Sequence, residues 1–214
     1  MVSLQGERSP GASVAVADSL FRGAEAGNDG AALYVEARGV ASPGTHLLVS
    51  RTRFQDCRAV RSGGAVSVIF LRDSATDSRA RLLGCAFTNT STAGAGGALY
   101  LSAAAAAAAA VSNFVAEVES CVFEQASAGS RGGAVFAILS RQSAPLLSLY
   151  CISAASVAAR AWQSSSRLAI RGTVFRTVAA SQGSGGVGGA VAVAGGELEV
   201  EACDVTDAGA AHAG

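Results

Sequence analysis

A repeat of about 33 residues is the feature that most constrains how this chain can fold. Five of its eight phenylalanines recur at steps of 33, 33, 36 and 52 residues. These are Phe21, Phe54, Phe87, Phe123 and Phe175. Three of the first four are followed after nine residues by Gly-Gly-Ala, and a fourth such triplet follows Phe175 after four extra residues. The triplet glycines are Gly63 and Gly64, Gly96 and Gly97, Gly132 and Gly133, and Gly188 and Gly189. A fixed period of this length predicts a repeat architecture.

Apolar residues alternate on both sides of each phenylalanine. Pairs such as Leu47 and Val49 precede it, and pairs such as Val66 and Val68 follow the triplet. Alternation with a period of two predicts strands with one buried face. The step from the first pair to the small residue two before phenylalanine is three, which reverses the face unless the chain bends. We therefore expect a corner between two short strands at that point.

One such coil cannot bury its own apolar face, but a stack of coils can. Each strand then pairs in parallel with its counterparts above and below, and the crossover rule favours a right-handed coil. The sequence predicts an all-β, right-handed parallel β-helix of five to six coils, with residues 1–214 as a single domain. A β-propeller needs antiparallel hairpins with two-residue turns, and no Asn-Gly or Asp-Gly recurs at a fixed place in the repeat.

The spacing of phenylalanine and Gly-Gly-Ala resembles the GGA[ILV]/FxxN repeats of chlamydial polymorphic outer-membrane proteins. Those repeats belong to the wider group of pectin-lyase-like right-handed β-helices. The resemblance implies surface display and adhesion, and hence an extracellular or cell-surface location. The family has asparagine three residues after phenylalanine, and no copy in this chain has asparagine there. The residues at that position are Ala24, Cys57, Thr90, Ala126 and Val178.

The last copy of the repeat has Val205 in the phenylalanine position, and the sequence stops at Gly214, where the next triplet is due. No secretory signal and no polar cap is recognisable in the sequence. We therefore expect a fragment of a longer repeat array.

Residues 140–166 are an insertion into the repeat and contain two candidate binding residues, Tyr150 and Trp162. Insertions on one face of a solenoid often form its binding surface. The alternative is a loop that folds onto the wall of the helix and buries its own apolar residues.

A second candidate surface is a row in the strand after each triplet, where the middle residue points outward if its neighbours point inward. The row contains Tyr34, Tyr100 and Phe136, with Ser67 and Ala192 in the remaining copies. Exposed aromatic rings on adjacent coils suit sugar rings or a partner protein. The alternative is that the aromatics only favour strand formation and are covered.

Composition argues against several other functions. The formal net charge is zero, with 16 basic and 16 acidic residues, which disfavours nucleic-acid binding. The uncharged stretches are rich in alanine and small polar residues, so we do not expect membrane insertion. Five cysteines without a CxxC pair do not match a zinc or redox motif. Cys85 and Cys121 fall in the same column, where we expect free thiols.

Catalytic residues are not predicted. Pectin-lyase-like enzymes use clustered carboxylates, whereas Asp73 with Asp77 and Asp204 with Asp207 fall in separate coils. No cofactor or metal is expected. The sequence predicts a non-catalytic adhesion or structural module with glycans or cell-surface proteins as partners. The alternative is a fragment of a polysaccharide lyase or glycoside hydrolase.

Overall fold

The computed structural model of the protein is a parallel β-helix. It describes residues 2–6, 13–38, 44–71, 77–104, 113–139, 146–149, 154–160, 166–181, 189–194, 197–207 and 209–211. These residues form 25 strands and no helix. The parallel pairing between successive copies of the repeat confirms the fold class predicted from the sequence.

Each coil contains four strands in the same order. β1 (Val2–Gly6) comes first in the chain. The first coil has β2 (Ser13–Ala17), β3 (Leu20–Arg22), β4 (Glu25–Ala26) and β5 (Leu33–Arg38). The second has β6 (His46–Ser50), β7 (Arg53–Gln55), β8 (Arg58–Ala59) and β9 (Val66–Leu71). The third has β10 (Arg79–Leu83), β11 (Ala86–Thr88), β12 (Ser91–Thr92) and β13 (Leu99–Ala104). The fourth has β14 (Val115–Glu119), β15 (Val122–Glu124), β16 (Ser127–Ala128) and β17 (Val135–Ile138).

The 140–166 insertion separates the fourth coil from the fifth in the sequence, but the two coils stack directly, since their strands pair in register. The insertion contributes β18 (Leu146–Leu149) and β19 (Ala154–Arg160). The fifth coil has β20 (Arg167–Arg171), β21 (Val174–Arg176), β22 (Ala179–Ser181) and β23 (Val191–Ala194). The next begins with β24 (Glu197–Thr206) and β25 (Gly209–Ala211). The stack thus holds four coils before the insertion, and the five to six expected are approached with those that follow it.

Corresponding strands stack into four sheets, named here by their order in the coil. The first sheet contains β2, β6, β10, β14, β20 and the start of β24, and the second contains β3, β7, β11, β15, β21 and the end of β24. The third contains β4, β8, β12, β16, β22 and β25. The fourth contains β1, β5, β9, β13, β17 and β23. The pairing of β1 with β5 was not foreseen, because Val2–Gly6 carries neither phenylalanine nor triplet.

The five repeat phenylalanines form one continuous ladder in the second sheet. Each is in register with the next, and Val205 continues the ladder after Phe175. Successive rings are stacked, with centroids 4.7–5.3 Å apart and planes within 9° of parallel. All are fully buried except Phe21, which is partly buried in the first coil. The spacing matches that of neighbouring strands, so the ladder sets the register of the coils.

The predicted corner lies three residues before each phenylalanine. There the backbone has a positive φ in every copy, and the residues are Asp18, Arg51, Gly84, Ser120, Gly172 and Ala202. A second corner, not foreseen, lies two residues after each phenylalanine. Its residues, which also have positive φ, are Gly23, Asp56, Asn89, Gln125, Thr177 and Asp207. Most of these are not glycine, so the stacked coils hold them in a backbone region that such residues rarely adopt.

The two glycines of each triplet have different roles. The first has a positive φ, as at Gly63, Gly96 and Gly132. The second lies against the coil below: a Cβ on Gly97 would stand 2.0 Å from the carbonyl oxygen of Gly133. Any side chain there would force the two coils apart. Gly188 lies outside the described residues, and Gly189 receives the contact from Gly133.

The small residue two before each phenylalanine is a hydrogen-bond donor as well as a space filler. Its hydroxyl or thiol donates to the carbonyl oxygen two residues earlier, across the first corner. The donors are Ser19, Thr52, Cys85, Cys121, Thr173 and Cys203. Size alone therefore does not define this column, since each member carries an O–H or S–H group.

The insertion covers the edges of two sheets. β18 pairs antiparallel with β23, and β19 pairs antiparallel with β24. Exposed strand edges promote unwanted pairing, and covering them is a common protection. Nothing in the sequence indicated this edge pairing. Whether the insertion is a binding loop or a loop that buries its own apolar residues stays a prediction.

Candidate binding surfaces

The aromatic row predicted from the sequence lies on the outer side of the fourth sheet. Tyr34, Ser67, Tyr100, Phe136 and Ala192 are in register on five successive strands. Their neighbours along each strand belong to the hydrophobic core, whereas the row does not. Alternation along each strand therefore puts the row on the side of the sheet opposite to this core.

The row is not an open surface along its whole length. Phe136 is only 3% exposed, and Ser67 and Ala192 are completely buried. Tyr34 and Tyr100 are partly buried. The expectation of an exposed ring is therefore wrong for Phe136, because alternation tells which side of a sheet a residue lies on but not what covers that side. The two tyrosines are the accessible aromatic members.

Local contacts fix the orientation of these rings. The Tyr34 hydroxyl donates a hydrogen bond to the Glu36 carboxylate over 2.9 Å. The Tyr100 and Phe136 rings lie 5.9 Å apart, tilted by 34°. The Arg131 guanidinium lies 6.0 Å from the centre of the Phe136 ring, within cation–π distance. Burial raises the pKa of Tyr100, so its hydroxyl stays protonated at neutral pH.

The second candidate, the 140–166 insertion, is described only in part. Tyr150 and Trp162 lie outside the described residues. The role of this pair in binding stays a prediction.

The outer face of the first sheet carries charges that alternate in sign from coil to coil. Arg81 lies above Glu117 with 2.6 Å between charged atoms, and Arg171 bonds Glu199 of the last coil at 2.7 Å. At the corner beside this sheet, Arg51 forms two bonds of 2.7 Å to Asp18. These ladders were not predicted, although the register of the repeat and the signs of the charges together are sufficient to predict them. Most charges on this face are used to hold coils together.

Possible catalytic groups are dispersed within the described part of the chain. No three His, Cys, Asp or Glu side chains come together there as a metal site would require. Asp77 accepts a hydrogen bond from Asn113 of the next coil, and His46 is exposed on the first sheet. Asp73 and His212 lie outside the described residues. Among the described residues no helix is long and apolar enough to cross a membrane.

The three cysteines of the corner column, Cys85, Cys121 and Cys203, are buried free thiols, as the in-register geometry predicts. Cys57, three residues after Phe54, is also a buried free thiol, and Cys151 is outside the described residues. The backbone N–H of Cys85 donates to the Cys121 sulfur over 3.4 Å. A hydrogen bond to Cys85 and burial raise the pKa of Cys121, so we expect this thiol to stay protonated and unreactive.

Fold and surface together define the chain as a parallel β-helix with partly exposed tyrosines on one sheet and paired charges on another. Comparison with protein-family models, curated proteins and solved structures finds no match to this chain.

Proposed function

We propose that this chain is a non-catalytic β-helix module for adhesion or structural display at the cell surface or outside the cell. Its repeat resembles those of the chlamydial polymorphic outer-membrane proteins, within the pectin-lyase-like group. The continuous phenylalanine ladder supports a rigid column, and rigidity limits the entropy lost when a surface binds a partner.

The observation that carries the proposal is the position of Tyr34 and Tyr100 on the outer side of the fourth sheet, two coils apart. A tyrosine ring offers a flat apolar face and a polar hydroxyl, a combination that suits sugar rings and protein surfaces. Two strand spacings separate the rings by about 10 Å. A glycan chain of two or more residues would span that distance.

Binding of the folded chain to a panel of glycans and to cell-surface protein extracts tests the proposal. The variant Tyr34→Ala with Tyr100→Ala should lose most of the binding, whereas Tyr34→Phe with Tyr100→Phe keeps the rings and should retain most of it. Circular dichroism and a melting curve establish that both variants are folded.

Two results would contradict the proposal. One is binding that the alanine variant leaves unchanged. The other is release of unsaturated or reducing-end products from polygalacturonate, which would favour the polysaccharide lyase or hydrolase alternative.

A further inference from the structure

The outer face of the second sheet differs from that of the first, because one of its columns carries charges that form no ion pair within the described part of the chain. In the neighbouring column, Arg22 lies 3.8 Å from Asp56. One outward column runs down this face, with a residue from each coil in register. In order, the column contains Leu20, Arg53, Ala86, Val122, Val174 and Asp204. We call it the second-sheet column.

Between Arg53 and Asp204, the second-sheet column has a charge at each end and an apolar centre, and Leu20 lies beyond Arg53. Arg53 and Asp204 are exposed, and neither forms an ion pair within the described part of the chain. Ala86, Val122 and Val174 between them are partly exposed. Unlike Arg81 and Arg171 on the first sheet, Arg53 has the apolar residues Leu20 and Ala86 as its neighbours above and below.

The order of the column is complementary to itself when reversed. Val122 lies at the midpoint, two coils below Arg53 and two coils above Asp204. Four strand spacings place the two charged residues about 19 Å apart. A twofold axis at Val122 turns a second copy end over end. Asp204 of the second copy then faces Arg53 of the first, and Arg53 of the second copy faces Asp204 of the first.

We propose that the second-sheet column is a self-association surface through which two copies of this chain form an antiparallel, twofold-symmetric dimer. A symmetric interface of this kind places the same patch on both subunits. It brings Val122 against its counterpart, Ala86 against Val174, and closes two ion pairs between Arg53 and Asp204.

The flanking residues limit the strength of this arrangement. In the neighbouring column, Glu124 lies at the level of the axis and Arg176 lies one coil below it. Across the axis each Glu124 faces its counterpart, a like-charge contact that weakens the dimer, and Arg176 of the second copy is one strand spacing away. The formal net charge of zero adds no overall repulsion between copies. A parallel arrangement would instead set Arg53 against Arg53.

The second-sheet face is narrow, since each strand there has three residues. We therefore expect weak, salt-sensitive association at the lower end of specific interfaces. Sedimentation analysis of the whole chain over a range of protein concentrations should show a dimer at low ionic strength. About 0.5 M salt should dissociate it, because exposed charges are then screened beyond a few ångströms.

Charge reversal gives the sharpest test. Arg53→Glu alone or Asp204→Arg alone should weaken dimerisation by about tenfold or more. The two substitutions in one chain should restore it, since each reversed residue again faces an opposite charge. Arg79→Glu, an exposed arginine on the first sheet, is the matched control and should leave the dimer intact.

Cross-linking locates the axis. With Val122→Cys, a short bismaleimide should join two copies, and with Leu20→Cys, at the end of the column, it should not.

A wild-type chain that is monomeric at every concentration and low salt would overturn the proposal. So would a dimer that ignores Arg53→Glu, or a double variant that fails to restore association. Binding of the arginine end to heparin with no dimer would assign this surface to an anionic glycan instead.

Discussion

The interior and the outer faces of these coils repeat in different ways. Inside, the same residue type recurs from coil to coil, as in the stacked phenylalanines and the second triplet glycines. Outside, residue types change, and on the first sheet arginine alternates with glutamate. Identical residues stacked in the interior therefore fix the register of the coils, and opposite charges on the outer face support the same register. The second-sheet column, whose Arg53 and Asp204 form no ion pair within the described residues, departs from this pattern, and we propose self-association there.

The largest effect should come from filling the space between two coils. In Gly97→Ala, the new methyl group would stand 2.0 Å from the Gly133 carbonyl oxygen and 2.6 Å from the Ser127 backbone. Because both contacts are backbone, the coils must separate, and we expect a loss of more than about 3 kcal/mol in the free energy of unfolding. Urea denaturation measures it.

Gly27→Ala is the control for that variant. A Cβ at Gly27 meets nothing within 4 Å. This substitution should change the unfolding free energy by less than about 1 kcal/mol, or stabilise the chain slightly. Equal losses at Gly27 and Gly97 would contradict the packing argument.

Removing a ring from the middle of the ladder should rank next. Phe87 is fully buried and stacks on both Phe54 and Phe123. Phe87→Ala should cost about 3–5 kcal/mol through lost burial and the cavity left behind. Thr88→Ala, one residue along on the outer side, should cost less than about 1 kcal/mol. Thermal unfolding of the two variants compares the inside of a strand with its outside.

A smaller loss is expected at the first corner. The Thr173 hydroxyl donates to the Arg171 carbonyl oxygen at 3.0 Å and accepts from the Cys121 N–H at 3.4 Å. Thr173→Val keeps the shape but leaves both groups without this partner in a buried site, at about 1–3 kcal/mol. Thr173→Ser keeps the hydroxyl and should retain most of the stability. If Thr173→Val and Thr173→Ser have the same free energy of unfolding, this position requires a small side chain but not a hydrogen-bond donor.

The smallest effect should come from the outer face. Arg81 and Glu117 form an ion pair between neighbouring coils, and their side chains are 40% and 17% exposed. A double-mutant cycle with Arg81→Ala and Glu117→Ala should give a coupling of at most about 1 kcal/mol, because partly exposed ion pairs are screened by solvent. A coupling as large as the loss in Phe87→Ala would remove the distinction between inside and outside.

The phenylalanine ladder and the triplet turn could be predicted because their residue types repeat from coil to coil. The first corner could be predicted from the three-residue step between buried positions. The second corner escaped prediction because its residues range from Gly23 to Gln125 and Thr177, and only their backbone conformation is shared. The stacked coils impose that conformation after the strands are in place.

The candidate site was less predictable for a different reason. Alternation assigns Tyr34, Tyr100 and Phe136 to one side of the sheet, but burial of Phe136 depends on what packs over that side. The antiparallel pairing of β18 and β19 escaped in the same way, because it arises from the insertion, which has no counterpart in other copies of the repeat.

A rigid column with one strand spacing per coil can be measured with spin labels on the outer face of the first sheet. His46→Cys is paired in turn with Arg79→Cys, Val115→Cys and Arg167→Cys, all at exposed or partly exposed positions. These positions are in register in successive coils. We expect narrow distance distributions whose means increase by about 5 Å per coil. Broad distributions, or distances that do not increase in order down the column, would show that the coils are not a rigid stack.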